Sequence, residues 1–98
     1  MIKTRFLPAA EAEFLKQLEY YSNTQEGLGI RFHTAVMVEV QKAAANPESG
    51  AQRPKGTRRR IVKGFPFGVV YRSSETELLV VAVAHHRMRP EYWARRVK

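Results

Sequence analysis

The sequence predicts an α+β domain of two layers. An N-terminal strand and a two-helix hairpin pack on a mostly antiparallel sheet of three further strands, followed by a short C-terminal helix or tail. Three observations lead there. Residues 9–45 carry apolar stripes at helical spacing, interrupted once near residue 24. Residues 67–84 hold two short apolar runs joined by Ser73-Ser74-Glu75-Thr76, a link too short for a parallel crossover. Strand patterns stand on both sides of the helical region, so the helices are consecutive and segregated from the sheet.

Taken in order, residues 2–7 alternate, with Ile2, Thr4 and Phe6 on one side and Lys3, Arg5 and Leu7 on the other. Period two predicts a strand with one face on the core. Pro8 closes it and suits the first turn of a helix, where its missing N–H leaves no bond unmade. Glu11 and Glu13 follow, favourably placed near a helix N-terminus. Phe14, Leu18 and Tyr21 make the core stripe of a first helix over residues 9–22. Ser22-Asn23-Thr24 reads as its end. A second helix begins between Gln25 and Leu28 and runs to Ala45, with Phe32, Val36, Val40 and Ala43 as its stripe. Asn46-Pro47 ends it, because a residue before proline avoids helical backbone angles.

Residues 46–57, with two prolines and two glycines, read as a loop. Residues 58–63, RRRIVK, predict the next strand, in which at most two of the three arginines share a face. The hairpin strands are residues 67–72 and 78–84, the second uninterruptedly apolar as in a strand covered on both sides. Residues 89–97 form the tail, a short helix beginning at Pro90 with Tyr92 and Trp93 as its anchors. A lone Trp near a terminus is a packing anchor.

The chain has 98 residues, enough for one domain spanning 1–98 with a modest core that buries about two-thirds of its extended surface. There is no cysteine, which excludes disulfides and thiolate metal sites. No run approaches the roughly 20 apolar residues of a membrane span, and no long apolar segment follows Lys3 and Arg5, so a cytoplasmic protein is expected. Net charge is +8 and unevenly placed. Residues 1–49 carry five Lys/Arg against six Glu, and residues 50–98 carry twelve against three, so the strand-rich half is the basic one at +9. That half attracts polyanions: nucleic acid, a ribosome or an acidic protein segment.

Several chemistries fall away. Gly27-x-Gly29 lacks the third glycine, the preceding strand and the lysine of a phosphate loop. With three His, no Asp and no Cys, no metal site and no cofactor is expected. Metal-free RNA cleavage remains. It needs a base, an acid and positive charge at the phosphate, and His85, His86, Arg87, Arg60, Lys63, Arg72 and Tyr92 are the right types. His85 shares a strand face with Val83, and His86 lies on the other with Ala84 and Ala82.

Phe65-Pro66-Phe67, Tyr71-Arg72, the run Ala82-Val83-Ala84-His85-His86-Arg87 and Pro90-x-x-Trp93 resemble the RelE/ParE superfamily, the toxins of bacterial type II toxin–antitoxin modules. With the two-helix hairpin, the resemblance covers nearly the full chain. It implies two branches. RelE-like members cut mRNA in the ribosomal A site, and Arg60, Arg87, Tyr92 and His85 would be the catalytic set. ParE-like members keep the fold, lack the full nuclease set and poison DNA gyrase. The FPFGVVYR and HHRMRP stretches look closer to the ParE-like branch, and Lys55 and Lys63 are the only lysines in the region where a nuclease would place them. The resemblance further implies a cognate antitoxin whose acidic C-terminal segment lies as a helix beside the helical hairpin and as a strand on the sheet edge. Leu15, Leu18, Leu28 and Phe32, with Arg72, Arg89 and Trp93, are the partner contacts it points to, although Phe32 and Leu18 fit an internal core better.

Overall fold

The computed structural model describes residues 2–97. Its elements are β1 (Lys3–Phe6), α1 (Pro8–Thr24), α2 (Leu28–Ala45), β2 (Ala51–Arg53), β3 (Thr57–Ile61), β4 (Phe67–Ser73) and β5 (Glu77–His85). Single 3-10 turns follow at Pro47–Ser49 and Ala94–Arg96. The five strands form one sheet in the order β1-β5-β4-β3-β2. Only β1 runs parallel to its neighbour, with Lys3 opposite Glu77 and Phe6 opposite Val80. The expected two-layer α+β architecture is what the chain adopts.

The helical hairpin covers one face. Phe14 of α1 and Phe32, Val36, Val40 and Ala43 of α2 are buried against Val69, Tyr71, Leu78, Val80 and Val83 of the sheet. The opposite face carries a smaller apolar cluster of Val70, Val81, Ala82 and Ala84, roofed by Trp93 and Val97 of the tail. This is why β5 is apolar without interruption: both of its faces are covered. The register slips between Val70 and Tyr71, which face Ala82 and Val80. Val81 is therefore an extra residue, and its bulge switches the alternation so that Val81 and Ala82 both join the tail-side cluster.

Three boundaries depart from expectation. Ser22-Asn23-Thr24 is helical, because Thr24 Oγ1 donates back to the Tyr20 carbonyl at 2.7 Å and keeps the last turn closed. The reversal comes later, at Gly27, whose φ of 80° lies in the left-handed region. The predicted loop contains β2, which pairs with β3 through Ala51 opposite Arg59 and Arg53 opposite Thr57. Lys55 (φ 66°) and Gly56 (φ 71°) give the two consecutive positive φ angles of a tight hairpin turn. Finally, no helix starts at Pro90. Glu91 has a φ of 61°, which interrupts any right-handed helix there, and only the 3-10 turn Ala94–Arg96 forms.

Candidate functional site

On β3 the alternation separates the arginines. Arg58 lies opposite Tyr71 and Arg60 opposite Val69, both on the helix-covered side, while Arg59 lies opposite Val70 and faces away. Arg60 Nε donates to the buried carboxylate of Glu39 on α2 at 2.9 Å, and its Nη1 donates to Ser49 Oγ at 2.7 Å. Arg58 Nη1 donates to the carbonyls of Glu48 and Gly50. These two arginines fasten the segment after α2 to the sheet. The Tyr71 hydroxyl works beside them, donating to the Pro47 carbonyl at 2.8 Å and accepting from the Gly50 N–H at 3.0 Å.

Arg59 enters a cleft of about 280 Å³ on the opposite face. Arg53, Arg59, His85, His86, Arg89 and Glu91 bring charge or polarity to it, and Val70, Ala84, Met88, Pro90, Tyr92 and Trp93 form its apolar walls. The Arg59 side chain lies directly on Gly68 of β4, where a Cβ would stand 2.2 Å from Nε. That Nε is buried without a hydrogen-bond partner. Burial, and then the nearby charge of Arg53, push the Arg59 guanidinium below its ordinary pKa.

The tail is tied down at one point. Glu13 of α1 accepts from Tyr92 Oη and from both terminal nitrogens of Arg96, at 2.8 and 3.0 Å. Glu13 also accepts from the Val83 N–H at 3.2 Å, and Arg96 Nη1 donates to the Val81 carbonyl at 3.0 Å. Pairing of β1 with β5 stops at Val80, so these two side chains satisfy the strand edge that β1 leaves open. Burial, with the hydrogen bond to Glu13, holds the Tyr92 phenol well above its ordinary pKa, and the Glu13 hydrogen bond raises Arg96.

On the helical hairpin, Leu18, Ser22, Gly29, Ile30 and His33 line an apolar groove of about 290 Å³. Ile30 is 74% exposed and Leu15 53%. Gly29 is what brings the helices together, since a Cβ there would stand 1.9 Å from Ser22 Oγ. Among the described residues, no group of three or more His, Asp or Glu side chains comes together to hold a metal ion. No helix among them is long and apolar enough to cross a membrane.

The residues named from the sequence divide accordingly. Leu15 is exposed, Leu18 lines the groove, and Leu28 is half-buried at the start of α2. Phe32 is fully buried at the centre of the core and offers a partner no surface, which corrects its place among the contacts. Trp93 is likewise only 4% exposed, and packing is its main role. Arg72 is half-buried, with Nη1 3.5 Å from the Lys55 carbonyl, and Arg89 is exposed at the cleft. Of the four residues proposed as a nuclease set, His85 and Tyr92 both line the cleft, but the set as a whole is split across the sheet. Arg60 is on the helix side, and Tyr92 is bonded to Glu13. His85 packs edge-on against Phe67 at 4.9 Å, with Nδ1 accepting the Arg87 N–H, and Arg87 is on an exposed turn. Sequence reasoning missed Arg53, Arg59 and Glu39, and did not give Glu13 its role. Gly68 inside a strand was the available signal, because such a glycine marks a close approach by another group.

These features define a class first: a small basic α+β domain with an open apolar groove on its helical layer and an arginine cleft on the far side of its sheet. The family model for the ParE toxin of type II toxin–antitoxin systems, parDE, matches residues 4–90, and the chain belongs to that family. Among solved structures, the chromosomal ParDE TA system from P. aeruginosa has the same fold, with a TM-score of 0.70 over 87% of this chain and 96% of that one. The two are 18% identical, so the likeness is one of fold. No curated protein matches the chain in sequence.

Proposed function

We propose that this toxin arrests growth in the cytoplasm by poisoning DNA gyrase, and that an antitoxin with an acidic C-terminal segment neutralises it by direct binding. The observation that carries the gyrase reading is that Arg60 stands across the sheet from the rest of the nuclease set. A metal-free endonuclease on the ribosome would need Arg60, Arg87, Tyr92 and His85 around one phosphate. Arg60 is instead committed to Glu39 across the sheet, and the Tyr92 hydroxyl is committed to Glu13. Family membership supports the same reading. For the antitoxin, the helical groove supplies the apolar anchors at Leu18 and Ile30 that an amphipathic helix needs. The +9 half supplies attraction for its acidic residues.

The test is ATP-dependent supercoiling by purified gyrase, with and without the protein, then with the product of a neighbouring small reading frame added back. Inhibition that this product reverses is the expected outcome. Growth arrest with supercoiling untouched would overturn the gyrase reading and send the search to the ribosome.

A further inference from the structure

The cleft that Arg59 enters is assigned no role by the reading above, and its composition is selective. Three guanidinium groups, from Arg53, Arg59 and Arg89, line it with a single carboxylate, Glu91. Among the described residues none of those three arginines has an ion-pair partner, whereas Arg5, Arg60 and Arg96 all do. Arg59 is held there at a disadvantage: its Nε is buried and unpaired, and Arg53 repels it. The chain nevertheless keeps glycine at position 68, the one residue type that lets Arg59 lie flat on β4. A half-buried guanidinium whose Nε is sealed off without a partner, lying against a glycine, is the arrangement expected where an anion completes the site.

We infer that this cleft binds the terminal phosphate of a nucleotide, either free or at the end of a nucleic-acid strand. The charge selects phosphate. Leaving its two histidines out of the count, the lining carries a formal net charge of +2, from three arginines and one glutamate. A phosphate monoester carries about −1.5 to −2 at neutral pH and matches it, whereas a carboxylate, at about −1, leaves it half neutralised. Arginine forks suit phosphate oxygens geometrically as well. Size and wall chemistry select a nucleotide over inorganic phosphate. The cleft is far larger than one phosphate group, and Met88, Pro90, Tyr92 and Trp93 give it an apolar side on which a base can rest. This site is independent of the gyrase reading and lies across the sheet from the helical groove.

NMR titration of the intact protein tests it, following the Trp93 indole and the amides of Gly68 and Ala84. The probes are adenosine 5′-monophosphate, adenosine, and a tetranucleotide with and without a 5′-phosphate. The phosphorylated probes are expected to bind at least about tenfold more tightly than their unphosphorylated partners. The monophosphate and the tetranucleotide together distinguish a free nucleotide from a strand end. Arg59→Gln should weaken phosphate binding about tenfold or more. Gly68→Ala should do the same with no change of charge, because its methyl displaces the guanidinium. Arg89→Gln, at an exposed position, gives a third reading from a variant whose fold is not at risk. Equal binding of phosphorylated and unphosphorylated probes overturns the inference. So does indifference to both Arg59→Gln and Arg89→Gln, or a glutamate-rich peptide that matches the monophosphate in affinity.

Discussion

Arg60 and Tyr92 have the side chains of a nuclease but the surroundings of structural residues, and each makes a measurable claim. Glu39 is 3% exposed at its side chain, and Arg60 is its close partner, with Lys42 Nζ more distant at 3.8 Å. Removing one partner of a buried pair strands the other charge, which is why truncation hurts more than joint replacement. Arg60→Ala should lower unfolding free energy by about 2 kcal/mol in urea titration, discounted for the part-exposure of Arg60 and the remaining Lys42. The double variant Arg60→Met with Glu39→Met should recover most of that loss. For Tyr92, the folded-state pKa is raised above its ordinary value of 10.0, first by burial and then by the hydrogen bond to Glu13. The folded protein thus holds this proton more tightly than the unfolded chain. The stabilisation is fully present below about pH 10 and fades as pH rises beyond it. Tyr92→Phe should flatten the alkaline decline of Tm relative to the parent. The remaining slope includes Tyr21, also raised by burial.

At the scale of elements, the helical hairpin depends on one glycine. A Cβ at Gly29 would collide with Ser22 Oγ and stand 3.2 Å from the Leu18 carbonyl, so α1 and α2 cross at backbone distance. Gly29→Ala should cost about 1–3 kcal/mol by overpacking, measured by chemical denaturation, and Ser22→Gly in the same chain should recover much of it. Ile30 is the complementary case. At 74% exposure it holds nothing in the isolated fold, so Ile30→Glu should leave Tm nearly unchanged. On the proposed reading, the same change weakens antitoxin binding by about tenfold or more in calorimetry. The elements themselves were legible wherever a period persisted: the helix stripes at Phe14 and Phe32, the alternation on β3, and the apolar run of β5. What escaped was set by tertiary contacts. Residues 51–53 have no strand period and become β2 only because β3 lies beside them. The left-handed turn at Glu91, which denies the tail its helix, has no signature in residue type. The bulge at Val81 was hidden by the same uninterrupted run that revealed the strand.

For the whole molecule, the sheet separates two surfaces that a linear reading of the charge had merged. The +9 half wraps around both faces. Arg58 and Arg60 are spent on the helix side fastening Glu48, Gly50 and Glu39, and only part of the positive charge faces solvent as a field. Arg53, Arg87, Arg89 and Arg95 are exposed arginines of that outer field, and Arg53 and Arg89 line the cleft. On the proposed reading, an acidic partner feels this field once any part of it comes within about a Debye length of the arginines, roughly 10 Å at 0.1 M salt, whether or not its apolar contacts lie in the helical groove. Association and dissociation should therefore separate cleanly. Raising salt from about 0.05 M to 0.5 M should slow association with the antitoxin by about tenfold or more, with little change in the dissociation rate. Reversing charge at exposed Arg89, by Arg89→Glu, should reduce the association rate and its salt dependence together, whereas Ile30→Glu should act chiefly on dissociation. Stopped-flow mixing at several salt concentrations measures both constants. If the dissociation rate carried most of the salt dependence, the arginines would be contacts in the bound complex, and the groove would not be where the antitoxin is held.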